Sequence, residues 1–287
     1  MDILSILKGS PDFPPLLTQI PDPPKVIYAR GDLSLLKSYT TLGIVGTRKA
    51  TAYGLSITEK LTKELATRGI IIISGLARGI DATAHKATLG VGGKTIAVLG
   101  NSLDTIYPPE HKGLAEDIIK NGGLIISEYA VGEEIFKANF VARNRIIAGL
   151  SRAVLVTEAP DGSGALITAS LALDYNREVL AVPGDITRET SYGTNKLIGM
   201  GAKVVSGVSD ILEIYNLLPL TDIKPLNTNF SENQKKIIEF LSKKGSLNLA
   251  ELAEVTSIEI TELSQELTQL ELAEKIRTFV DGKYTLT

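Results

Sequence analysis

The chain has 287 residues, carries 30 lysines and arginines against 33 aspartates and glutamates for a net charge of −3, and contains no cysteine. That length holds one sizeable α/β core plus a small second domain. The lack of cysteine excludes a disulfide framework and thiolate chemistry, and suits the cytoplasm, the expected location. No segment approaches the roughly 20 apolar residues that span a bilayer, and Met1 to Gly9 has too short an apolar run and too little positive charge for a signal peptide, so no membrane association is expected.

Six of the twelve prolines fall in residues 11–24, so residues 1–35 are expected to form an extended, proline-rich arm lying against the core. The body is expected over residues 36–216. It begins with the apolar strand Leu42 to Gly46, followed by Thr47-Arg48-Lys49 and a helical stretch from Tyr53 to Arg68. Four consecutive isoleucines, Ile70 to Ile73, have the composition of a strand buried on both faces. They run into Ser74-Gly75-Leu76-Ala77-Arg78-Gly79-Ile80-Asp81, where the glycines let the backbone turn sharply and lie bare. With a helix from Asp81 to Leu89 next, its first amides beside Arg78 make a pocket for an anion such as phosphate, unless the arginine is incidental to a tight turn. Further short strands follow at Thr95 to Leu99, Leu124 to Ile126, Ala153 to Val156 and Glu178 to Val182. Strands alternating with helical stretches predict a doubly wound, mostly parallel, Rossmann-like α/β sheet, with ligands bound outside the carboxyl ends of the strands.

Chemistry other than anion binding finds little support. His85 and His111 are the only histidines; neither has a partner at metal-ligand spacing, and each is expected on a helix surface or at a helix end. Gly92-Gly93-Lys94-Thr95 lacks the first glycine of a P-loop and precedes a strand, and no strand is followed by G-x-G-x-x-G, so no cofactor is expected. Glu128, Glu158, Asp161 and Asp185 stand at strand ends, where they could act as acid and base or, more simply, cap helices and bind nearby arginines. The segment Lys137 to Arg145, KANFVARNR, opens a helix running to Leu150. Lysine and two arginines around Phe140 suit single-stranded nucleic acid, with cations tracking phosphates and a ring stacking on a base; the alternative is a phenylalanine anchored in the core between solvated cations.

After a break at residues 217–230, read as a linker, residues 231–287 show a helix capped by Ser231, two more helical stretches, and two short strands around Asp281-Gly282, a hairpin signal. That order predicts a winged helix. The tail holds 7 of the basic and 10 of the acidic residues, so it carries the whole net charge and the body is balanced. Glu259, Glu262, Glu266 and Glu271 on its third helix would be repelled by phosphates, which points to protein contact instead of duplex binding.

Val45-Gly46-Thr47-Arg48, SGLARGIDATAH, TIAVLG with Asp104 and Tyr107-Pro108, ARNRIIAGLS, TEAPDGSGALITA, AVPGD and GTNKLIGMGA follow in one order. Together they resemble the DNA-processing protein A family, also called Smf or DprA, over about Asp12 to Gly207. The resemblance implies a homodimeric, non-enzymatic protein that binds incoming single-stranded DNA in natural transformation and loads RecA recombinase on it. It implies DNA contacts from Arg48, Lys137, Phe140 and Arg143, with Gly46, Thr47, Arg78, Asn144, Ser163 and Gly164 as further nucleic-acid-binding positions. Where many members have prolines around this phenylalanine, the chain has Ile135 and Val141. The same type of sheet occurs in nucleoside-monophosphate phosphoribohydrolases resembling lysine decarboxylases, so a nucleotide-binding or nucleotide-cleaving enzyme is the alternative. Their PGG-x-GT-x-x-E glutamate has no counterpart after Pro160 to Ala165.

Overall fold

Each isoleucine of the run at 70–73 meets apolar partners, alternately on one side and the other, and this sets the layering of the body. The computed structural model describes residues 3–217, 230–272, 275–278 and 283–286. The chain divides into two units, Met1–Leu218 and Pro219–Thr287. The first contains, in order, β1 (Leu4–Leu7), β2 (Val26–Gly31), β3 (Thr41–Val45), α1 (Ala52–Thr67), β4 (Ile71–Ser74), α2 (Ile80–Gly90), β5 (Thr95–Val98), α3 (Lys112–Lys120), β6 (Leu124–Ser127), α4 (Lys137–Ala142), α5 (Asn144–Leu150), β7 (Ala153–Val156), α6 (Gly164–Asp174), β8 (Glu178–Ala181), α7 (Tyr192–Gly199), β9 (Lys203–Val204) and α8 (Val208–Leu212). They build one nine-stranded sheet in the order β1-β2-β6-β5-β4-β3-β7-β8-β9. From β6 to β9 every pairing is parallel, and β2 and β1 add antiparallel strands at one edge. This is the doubly wound, Rossmann-like α/β sheet expected from the sequence.

Ile71 and Ile73 bury on the face covered by α5 and α6, and Ile70 and Ile72 on the face covered by α1 and α2. Each such side chain contributes roughly 1.5–3 kcal/mol of burial, which is why parallel strands lose the polar alternation of a one-sided sheet. The first 35 residues do more than lie against this core, since β1 and β2 extend the sheet itself. Phe13, Leu17 and Ile20 join the core beside α5. The approach there is so close that a Cβ on Gly149 would stand 2.7 Å from Leu17 Cδ1. The helix expected from Lys137 to Leu150 is instead broken into α4 and α5 around Arg143, whose side chain is buried.

The second unit contains α9 (Glu232–Lys244), β10 (Ser246–Asn248), α10 (Leu249–Thr256), α11 (Ile260–Leu272), β11 (Ile276–Thr278) and β12 (Lys283–Leu286), the strands pairing in the order β10-β12-β11. That succession is compatible with a winged helix. Ser231 caps α9 as the sequence suggested, accepting from the Gln234 amide. The acids of α11 are tied to their own domain: Glu262 accepts from Asn233, Glu266 from Ser231 and Glu271 from Thr278. The turn expected at Asp281-Gly282 and nearly all of the segment 217–230 lie outside the described residues.

His85 departs from the surface position expected for it. It is completely buried on α2, with Nδ1 2.7 Å from Thr95 Oγ1. The Thr95 hydroxyl donates its only proton to the Ile72 carbonyl, at 2.7 Å, so His85 Nδ1 carries the proton and donates to Thr95. Nε2 is left buried without a partner. Burial, helped by the nearby His111 and Arg143 charges, holds the ring neutral down to about pH 3. A histidine whose folded pKa is depressed contributes stability that is complete above its unfolded pKa of about 6.5 and is lost as pH falls toward the folded value, at up to ~1.4 kcal/mol per pH unit. The melting temperature is therefore expected to fall more steeply between pH 7 and pH 5 in the wild type than in His85→Gln. Parallel pH profiles in thermal melts of the two proteins would contradict this.

Candidate nucleic-acid interface

The chain leaves β3 for β4, β5 and β6 on one side and leaves β7 for β8 and β9 on the other, so the carboxyl ends of β3 and β7 flank the point where strand order reverses. Loops diverge at such a point and leave a gap that suits a ligand. A cleft of about 630 Å³ opens here. It is lined by the loops after β3, β4, β5 and β7 and by α4 and α5. Nine of the ten residues singled out from the sequence lie along it: Gly46, Thr47, Arg48, Lys137, Phe140, Arg143, Asn144, Ser163 and Gly164. The tenth, Arg78, lines a smaller recess that shares Arg48, Tyr107, Phe140 and Arg143 with the cleft.

The loops after β3 and β4 interlock through glycine. Gly79 has φ +73°, and a Cβ there would lie 2.4 Å from the Thr47 carbonyl oxygen; a Cβ on Gly46 would lie 2.4 Å from Ile80. The Thr47 amide donates to the Glu158 carbonyl at 2.8 Å, and its own carbonyl accepts from the Ile80 amide at 3.3 Å. This backbone is spent on joining loops. The Glu158 carboxylate accepts from the Thr51 amide and hydroxyl at 2.8 and 2.7 Å, holding the start of α1. The other strand-end carboxylates likewise serve as arginine or lysine partners and turn caps: Glu128 with Arg145, Asp161 with Lys196, Asp185 with Arg188 and the Thr187 amide.

The turn after β4 is held from three directions. Leu76 adopts φ +57° while fully buried, a conformation that costs a branched residue roughly 1–2 kcal/mol. Asp81 Oδ2 accepts from the amides of Gly75 and Ala77 at 3.1 and 3.3 Å. His111, at the helix end where it was expected, donates from Nδ1 to the Leu76 carbonyl at 2.8 Å. Arg143 Nη1 donates to the carbonyls of Gly75, at 2.8 Å, and Val98. The guanidinium lies so tightly on the turn that a Cβ on Gly75 would be 2.5 Å from Nη2. Only 4% of Arg143 is exposed. Burial lowers its pKa to about 10, with the Asp81 charge opposing the shift. Asp81 responds in the opposite sense, burial raising its pKa against the pull of Arg143 and the two amides.

Arg143 thus occupies the cleft floor with its hydrogen bonds directed into the protein, where the resemblance had implied a contact with DNA. Arg145 is also turned to protein partners, Glu128 at 2.5 Å and Asp22 at 3.6 Å. Of the three cations around Phe140, Lys137 alone is exposed. Across the cleft stand Arg48 and Lys49, also exposed. Among the described residues these three have no ion-pair partner, whereas Arg78 is paired with Glu110 at 2.5 Å. Ser163 caps α6 through the Ala165 amide, and Asn144 donates to the Gly164 carbonyl at 3.3 Å. Phe140 is half-buried, its ring seated where a Cβ on Gly100 would be 2.8 Å from Cδ1. Lys49 and Tyr107 also line the cleft. Sequence reasoning passed over Lys49 although it directly follows Arg48, and treated Tyr107 only as part of a motif.

A profile of the family described as DNA recombination-mediator protein A matches residues 5–216. The chain belongs to this family. It is 49% identical over 215 residues to Protein Smf of Synechocystis sp. strain PCC 6803, a span covering 74% of this chain but 54% of that relative. It is 45% identical over 196 residues to the DNA processing protein DprA of Streptococcus pneumoniae, covering 68% of each. The solved structure of the S. pneumoniae family member superposes with a TM-score of 0.69 at 41% identity over 74% of both chains. The Helicobacter pylori member, whose structure is described as giving insight into a single-stranded DNA binding mode, superposes with a TM-score of 0.68 at 33% identity over 76% of this chain and 96% of that one.

Removing the Arg143 side chain takes the donor from the buried carbonyls of Gly75 and Val98, and each buried polar group left without a partner costs about 1–3 kcal/mol. Arg143→Ala is therefore expected to lower the melting temperature markedly, and Arg143→Lys to recover only part of it because an ammonium loses the Nε bond to Asn144 and the flat guanidinium contact with Gly75. A melt of Arg143→Ala superimposable on the wild type would contradict the structural role.

Proposed function

We propose that this chain binds single-stranded DNA in the switch-point cleft, acts as a homodimer, and passes the strand to RecA recombinase during natural transformation, without catalysing a reaction itself. The observation that carries this reading is the set of exposed, unpaired cations Arg48, Lys49 and Lys137 around the half-buried ring of Phe140. Cations spaced along a groove track a phosphate backbone, and an aromatic face stacks on any base, so affinity follows without sequence preference. The single-stranded DNA named for the H. pylori relative fits the same chemistry. Nucleotide cleavage by the alternative enzymes would use the glutamate of their PGG-x-GT-x-x-E signature, which has no counterpart after Pro160 to Ala165, and Asp81 on the cleft floor is buried and holds two amides.

Three phosphate contacts give a salt slope near −2, or roughly 20-fold weaker binding between 50 and 200 mM salt. Fluorescence-anisotropy titration of a labelled oligo-dT is expected to show that slope for the wild type and to lose tight binding in the folded Arg48→Ala/Lys137→Ala variant. The same variant is expected to fail in promoting RecA assembly on the strand. Unchanged binding by the double variant, or an affinity indifferent to salt, would contradict the proposal.

A further inference from the structure

Tyr107 is the cleft residue whose chemistry the proposed function leaves unused. It follows β5, lies between the cleft and the smaller recess, and lines both. Its side chain is 45% exposed, and among the described residues its hydroxyl has no hydrogen-bond partner. Its ring centroid stands 5.3 Å from that of Phe140, with the planes inclined at 50°.

We infer that Tyr107 and Phe140 form a two-ring platform for the nucleobases of a single strand, each ring offering its outward face to a different base. This inference rests on the reading of the cleft as a single-strand DNA site. A base sliding between the rings would need a centroid separation of roughly 7 Å, twice the ~3.4 Å rise of stacked nucleotides. At 5.3 Å the gap is closed, so stacking falls to the outer faces. The 50° inclination turns those faces apart, which suits two bases unstacked from one another along a bent strand. The platform is built in advance of the ligand, because Gly100 supports the Phe140 ring from one side and Tyr107 meets it on another. Arg48 borders both hollows beside the pair, within reach of the phosphates that join stacked bases.

The test compares a labelled oligo-dT with an abasic strand of equal length, measuring affinity by anisotropy for the wild type, Tyr107→Phe, Tyr107→Leu and Arg48→Ala/Lys137→Ala, each checked for folding by thermal melts. One stacked base is worth roughly 5- to 150-fold in affinity. The wild type and Tyr107→Phe are expected to prefer oligo-dT strongly. Tyr107→Leu, which keeps an apolar wall but no π face, is expected to lose 5-fold or more of that preference while its salt slope is retained. An oligo-dT preference unchanged in Tyr107→Leu, with binding still abolished in the Arg48 and Lys137 variant, would overturn the platform and leave the DNA reading standing. Failure of the wild type to bind either strand would overturn both.

Discussion

The cleft depends on one buried charge arrangement, the Arg143 guanidinium set over the turn after β4 with Asp81 beneath it. A turn that carries a left-handed leucine and two glycines has little intrinsic reason to hold one shape. Here its amides are fixed by Asp81, its carbonyls by Arg143 and His111, and its outer side by contact with the loop after β3. The cost of taking an arginine out of water is offset by a nearby carboxylate and two carbonyls, one of them across the sheet on β5. Rigidity at this turn fixes the position of Arg48 on the neighbouring loop and of Phe140 one helical turn before Arg143. The placement of the exposed residues thus rests on the buried hydrogen bonds beneath them.

Net charge misleads about such a site. The body is electrically balanced and the whole chain is acidic, yet the cleft gathers its free cations because the competing arginines are consumed inside. Arg143 and Arg145 serve the scaffold, and Arg78 is neutralised by Glu110 at the rim. What remains, Arg48, Lys49 and Lys137, forms a small positive field close to an aromatic surface. A modest number of phosphate contacts combined with stacking gives binding that responds to salt without being abolished by it.

The sheet was legible in the sequence because a parallel strand buried on both faces must be written as an unbroken apolar run, as at Ile70 to Ile73 and Ala153 to Val156. The cleft was legible because the runs Leu42 to Val45 and Ile70 to Ile73 lead into glycine with Arg48 or Arg78 nearby, and the ordered motifs carried the family. The direction in which a side chain turns was not. Arg143 and Lys137 stand in one short basic segment, and only the bare backbone at Gly75 and a carbonyl 45 residues away separate the buried cation from the exposed one. His85 gave no warning either, since its partner Thr95 belongs to the next strand. The short strands β1 and β2 were hidden by the prolines between them, which advertise an arm and say nothing of the edge it completes.

The central claim is that a single strand occupies the switch-point cleft and that the loops pinned around Arg143 hold it there. Hydrogen-exchange mass spectrometry with and without saturating oligo-dT tests this most directly. The account requires added protection to concentrate in residues 45–50, 75–79, 137–144 and 160–165. Protection confined to residues 231–287, or to the sheet edge formed by β1 and β2, would place the DNA elsewhere and contradict it.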